Sequence, residues 1–90
     1  MASFRWLNNQ GVKSDSGFAV QRTGRFTAEY SESGHTIVIS VEAGIRRGKH
    51  VLFYKRASFS AWCTDPMEQQ RVIDNFRSAI TFMGSTPNED

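Results

Sequence analysis

The chain predicts an α+β domain in which an antiparallel sheet of four to five strands packs one face on a single C-terminal helix. Three observations carry this. Strand-type alternation dominates the first two thirds of the 90 residues, one amphipathic helix with signals at both ends comes last, and only the helix stripe and one strand face are continuous enough to form a core. A chain of this length can bury about two thirds of its extended surface, enough for a core without disulfides.

From the N-terminus, residues 4–7 read as a short strand or an anchored arm, and residues 8–17, with Asn, Gly and Ser throughout, as turn-rich. Phe18, Ala19 and Val20 form a brief apolar run. After Gly24, Phe26, Ala28 and Tyr30 alternate with polar residues as a half-buried strand should. Ser31-Glu32-Ser33-Gly34 is a turn signal, read as a type I turn with a bulge at Gly34. Residues 36–43 follow as a strand with Ile37, Ile39, Val41 and Ala43 on one side of the pleat. Residues 44–50 read as a connecting loop, residues 51–56 as a further strand, and residues 58–63 as an extension or repeat of that pattern.

The helix is predicted over residues 66–83. Asp65 stands at the N-cap, Pro66 suits the first helical position, Glu68 completes a capping box, and Gly84 followed by Pro87 marks the exit. Val72, Ile73, Phe76, Ala79, Ile80 and Met83 recur at helical spacing, leaving Glu68, Arg71, Asp74 and Arg77 on a polar side open to a partner. Residues 85–90 are polar and contain a proline, and are expected to be a loose tail behind a single domain of residues 1–84.

Composition removes several functions. Cys63 is the sole cysteine, which rules out an internal disulfide and any zinc site built on Cys pairs, and suits a reducing cytoplasm. No signal-peptide core opens the chain and no run reaches membrane-spanning length, so a soluble cytoplasmic protein without a membrane role is expected. His35 stands in a turn and His50 in a basic loop, neither with metal-ligand spacing nor with a nucleophile and orienting group beside it. No phosphate-binding loop occurs. The chain therefore reads as a non-enzyme without cofactor or metal.

One signal of a binding surface remains. The formal net charge is +2, yet no acidic residue lies between Glu42 and Asp65, a segment holding five of the eleven Lys and Arg: Arg46, Arg47, Lys49, Lys55 and Arg56. With His50 and Trp62, these are the candidate partner-binding residues. Phe53, Tyr54, Phe59 and Trp62 nearby give the mixture of cations and stacking groups that nucleic-acid-binding sheets use. A solvated loop over ordinary core aromatics accounts for the same residues, and strand alternation allows only some of the aromatics to face solvent. Open sheet edges also raise the prospect of a homodimer paired through Val38, Phe53 or Trp62.

The run from Gln21 through Gly24-Arg25-Phe26 to Tyr30, then Gly34-His35-Thr36-Ile37-Val38-Ile39-Ser40-Val41-Glu42, resembles the hairpin of the immunity protein 74 family of bacterial polymorphic toxin systems. The likeness continues through Phe53-Tyr54 and Phe59-Ser60-Ala61-Trp62 to Arg71-Val72-Ile73-Asp74-Asn75-Phe76 and on to Gly84. The resemblance implies an α+β fold and a non-enzymatic protector that binds and neutralises a cognate toxin. Because this chain is basic, such a target would present an acidic or apolar surface.

Overall fold

The computed structural model describes residues 3–90; residues 1 and 2 of the expected domain lie outside the described residues. Seven strands form one curled mixed sheet: β1 (Phe4–Asn8), β2 (Gly11–Ser14), β3 (Phe18–Arg22), β4 (Thr27–Glu32), β5 (His35–Arg46), β6 (Lys49–Tyr54) and β7 (Thr86–Glu89), hydrogen-bonded in chain order. The first six make an antiparallel meander, and β7 lies parallel to β6. A parallel neighbour needs a crossover. A 3₁₀ helix over Arg56–Ala61 and the single α-helix α1 (Pro66–Phe82) supply it.

The sheet curls because β5 serves two partners. Its first half pairs with β4, from Glu32↔His35 to Thr27↔Ser40, and its second half with β6, from Val41↔Tyr54 to Arg46↔Lys49. At the handover Val41 N–H donates to the Phe26 carbonyl at 3.0 Å and Lys55 N–H to the Ser40 carbonyl at 3.1 Å. The inner face carries Val12, Phe18, Val20, Ala28, Tyr30, Ile37, Ile39, Val41, Leu52 and Tyr54, all in one buried cluster with the α1 stripe Val72, Ile73, Phe76, Ala79 and Ile80. Tyr54, Phe59 and Phe76 pack edge to face with centroids 5.5–6.0 Å apart and join the 3₁₀ helix to this core.

The helix ends are largely as the sequence signals. The Asp65 side chain accepts from Met67 N–H at 3.1 Å and Pro66 occupies the first turn. Only half of the expected capping box forms, because Glu68 accepts instead from Trp62 and Arg71. At the exit, Gly84 at φ 99° donates to Thr81 O and Ser85 N–H to Ile80 O, the paired bonds of a Schellman turn. Met83 lies just past the last helical residue and packs, partly buried, on the core.

Several expectations need correction. Seven strands replace four to five. Residues 11–14, read as turn-rich, form β2 with Val12 and Ser14 buried on the inner face, too short an alternation to stand out. Residues 58–63 neither extend nor repeat a strand, because the chain winds into the 3₁₀ helix and buries Phe59 alone. The expected loop over residues 44–50 shrinks to two residues, since β5 runs on to Arg46 and β6 starts at Lys49. Arg47 at φ 55° and Gly48 at φ 77° then form a type I′ hairpin turn. Ser33 and Gly34 do the same at φ 54° and 81°, in place of a type I turn with a bulge. Finally, residues 85–90 are no loose tail: Thr86–Glu89 is an edge strand, where Pro87 is tolerated because only one side is paired.

Candidate partner-binding site

The seven candidate residues fall in three places. Arg46, Arg47, Lys49 and His50 crowd the tip of the β5–β6 hairpin, Lys55 and Arg56 lie where β6 leads into the 3₁₀ helix, and Trp62 lies between that helix and α1. The tip is the part that stays positive. Arg46 and Lys49 are cross-strand partners and so share the sheet face turned away from α1, with Arg47 in the turn between them. Among the described residues none of these three cations lies within ion-pairing distance of a carboxylate. The Arg46 guanidinium sits 5.5 Å from the centre of the Phe53 ring, which itself rests on Gly44. A Cβ at Gly44 would come within 3.1 Å of that ring, so the glycine leaves room for it.

Beside the tip lies a shallow depression of about 480 Å³ lined by Arg46, Arg47, Lys49, Val51, Thr86 and Asn88. Thr86 and Asn88 reach it because β7 pairs in register with β6, Thr86 opposite Val51 and Asn88 opposite Phe53. Sequence reading missed both residues, and no local signal marks them: they sit more than thirty positions from the basic run and arrive only through the crossover. His50 points the other way, opposite Ile45, on the edge of the helix-side face.

The end of β7 and the residue after it disarm the other two cations. Lys55 Nζ lies 2.6 Å from Asp90 and Arg56 Nε 2.8 Å from Glu89, and Arg56 also donates to Gln70 at 3.1 Å. The hydrogen bond and charge of Asp90 push the Lys55 ammonium above its ordinary value. The five-cation stretch of the sequence is therefore a three-cation tip and two neutralised pairs.

Trp62 belongs to a structural network. Its ring stacks on His35 at 4.4 Å and 14°, meets Tyr30 edge on at 5.4 Å, and its indole N–H donates to Glu68 at 3.0 Å. Arg71 clamps Glu68 at 2.7 Å and Glu32 at 3.0 Å, tying α1 to the end of β4. Donation from Arg71, then from Trp62, pulls the Glu68 carboxyl down to about 2. At Glu32 partial burial opposes ionisation, but hydrogen bonds from Arg71 and Tyr30 outweigh it and hold the carboxyl below its usual range. Burial drives the Tyr30 phenol well above its ordinary value; the phenol donates to Glu32 at 2.7 Å and accepts from Asn75 at 3.0 Å. On the helix's polar side, expected to be open, Glu68 and Arg71 are thus occupied, and Arg77 donates to the Tyr54 hydroxyl at 2.7 Å.

Of the groups named for self-pairing, Val38 faces outward on the open sheet face, Phe53 is half covered, and Trp62 is turned inward. Among the described residues no three His, Cys, Asp or Glu side chains converge on a metal-sized site, and no helix is long and apolar enough to cross a membrane. No protein-family model, curated protein or solved structure matches this chain.

Proposed function

We propose that the chain is a non-enzymatic binding protein that engages an acidic surface of a protein partner through the β5–β6 hairpin tip, in the manner of a cytoplasmic immunity protein neutralising a cognate toxin. The observation that carries the binding surface is the Arg46–Lys49 pair. Like charges directly opposite each other in an antiparallel ladder destabilise it, and here a third cation, Arg47, sits between them with no carboxylate to relieve it. A hairpin serving only the fold would gain from an acidic residue at either position, and a local stability cost of this kind marks a functional surface. The resemblance of the β4–β5 hairpin and closing helix to the immunity protein 74 family supports the class of partner. A nucleic-acid role draws less support, since Tyr54 and Phe59 are buried and Trp62 is stacked on His35, so these three rings beside the basic segment are not free to stack on bases.

The test is co-expression with the toxins encoded beside the gene, using wild type, Arg47→Glu and Lys49→Glu. Wild type should protect, and each reversal should weaken toxin binding at least tenfold. Lys49→Glu should at the same time raise the stability of the free protein by about 0.5 kcal/mol, because a like pair becomes an opposite one. Failure of every neighbouring toxin to bind, or protection indifferent to both reversals, would remove the reading.

A further inference from the structure

We propose that the free edge of β1 is a strand-addition site for an extended segment of a partner protein, one whose central residue is acidic and whose two neighbours are apolar. The proposal does not depend on the hairpin tip. It starts from the backbone phase of β1. Asp15 N–H donates to the Ser3 carbonyl at 2.9 Å, and antiparallel ladders bond at every second residue, so the next pair bonded toward β2 is Arg5↔Lys13. The N–H and C=O groups of Phe4 and Trp6 therefore point to the unpaired edge. β1 is the first strand in the sheet order, and Arg5 to Asn8 are exposed. Among the described residues this edge has no protection by proline or by a covering loop along residues 4–6.

The side chains specify what would fit. A strand bonded to Phe4 and Trp6 places one residue directly opposite Arg5, in the close, non-hydrogen-bonded position, on the face turned away from α1. Arg5 already faces Lys13 across the ladder, and neither has a carboxylate within ion-pairing distance among the described residues. A carboxylate at the added position would complete that row. The neighbours of that residue would point to the other face, where Phe82 lies 5.2 Å from Phe4 and 5.9 Å from Trp6. Trp6 is 50% and Phe82 43% exposed, and a groove of about 800 Å³ runs on past Thr81 toward Pro87. Apolar side chains would cover this surface.

A second copy of the chain fits poorly. Pairing Phe4 with Trp6 of another copy sets Arg5 against Arg5, and a register centred on Trp6 meets the irregularity between Trp6 and Asn8. That irregularity also limits the added strand to about four residues.

The test is a nuclear magnetic resonance titration of the full chain with a capped pentapeptide of sequence Thr-Ile-Glu-Ile-Thr, and with the same peptide carrying Lys at its centre. At saturation the Phe4 and Trp6 amides should exchange with solvent at least tenfold more slowly, and the Glu peptide should bind roughly fivefold tighter than the Lys peptide, the scale of one cross-strand charge pair. Arg5→Glu should invert that preference, and Lys13→Glu should weaken it without changing which amides are protected. Shifts centred elsewhere, equal binding of both peptides, or protection of the same amides by self-association without peptide would overturn the proposal.

Discussion

Truncation after Ser85 tests the part of the fold that the sequence conceals. Removing residues 86–90 deletes β7, uncovers the outer edge of β6 and strips the partners from Lys55 and Arg56. Val51 and Leu52, 5% and 1% exposed, lie along that edge. If about half of each side chain becomes accessible, the loss is about 1 kcal/mol for each. The lost ladder bonds add about 1 kcal/mol apiece, and most of that is returned by the freedom of five released residues at about 1–2 kcal/mol each. A net loss of about 2 kcal/mol is expected. With a slope near 1.5 kcal/mol per molar for a domain of this size, the urea midpoint should fall by about 1.3 M at unchanged slope. Formal net charge rises from +2 by two units as Glu89 and Asp90 go, so retention on a phosphate-bearing resin should increase at the same time. Unfolding followed by far-ultraviolet circular dichroism, paired with that elution measurement, is the assay. A truncated chain with the wild-type midpoint would show that residues 86–90 are the loose tail their composition suggests, and would refute the parallel strand.

Other outcomes follow from single contacts. Tyr30→Phe removes the hydroxyl shared by Glu32 and Asn75 and should cost about 1–2 kcal/mol in urea unfolding, with a double-mutant cycle against Asn75→Ala returning a coupling well above 0.5 kcal/mol. Glu32 and Glu68 both have folded-state values depressed below their unfolded ones. Their contribution is therefore complete above the unfolded carboxylate value of 4.5 and is lost as pH falls toward the folded value, about 2 for Glu68. Arg71→Met should flatten the stability profile in that acid window and leave its neutral limb parallel to wild type. Gly84→Ala, at a site with φ 99° and no atom within 4 Å of the added Cβ, should cost about 1–2 kcal/mol from backbone conformation alone. A thermal shift no larger than that of an exposed helix substitution would contradict the Schellman assignment.

Where residues interact within one element, the sequence was readable. Asp65, Pro66, Gly84 and the stripe from Val72 to Ile80 located the helix and its buried side, because capping and 3.6-residue periodicity are local. The first part of β5 was equally plain, as Ile37, Ile39 and Val41 alternate, whereas its continuation from Gly44 to Arg46 read as loop because Gly44 and the adjacent Arg46 and Arg47 break that alternation. Short strands were not. In β2 only Val12 and Ser14 turn inward, and Ser14, whose hydroxyl accepts from Ser16 N–H at 2.9 Å, carries the local bonding of a turn residue. β7 reads as part of a loose tail because a Thr-Pro-Asn-Glu segment has little strand preference of its own and is held by its register with β6. The candidate site divides along the same line. Arg46, Arg47 and Lys49 were visible as a run, whereas the pairing of Lys55 and Arg56 with Asp90 and Glu89 depends on a crossover that no window of sequence contains.

The connection between β6 and β7 also sets an order of events. Each ladder from β1 to β6 joins strands adjacent in sequence and closes through a short turn, so those pairings carry a small loop-closure cost. The β6–β7 ladder must wait until the 3₁₀ helix and α1 have formed and the Gly84 turn has reversed the chain. On the ribosome, β7 is the last of these elements to emerge. Until it docks, the nascent domain carries an open β6 edge and two unneutralised cations, Lys55 and Arg56, at the end of β6 away from the hairpin tip. The interval before docking is thus when the domain is most exposed to edge-to-edge aggregation and to nonspecific contact with ribosomal RNA, and single residues of β7 should control yield in cells more than they control the stability of the finished protein.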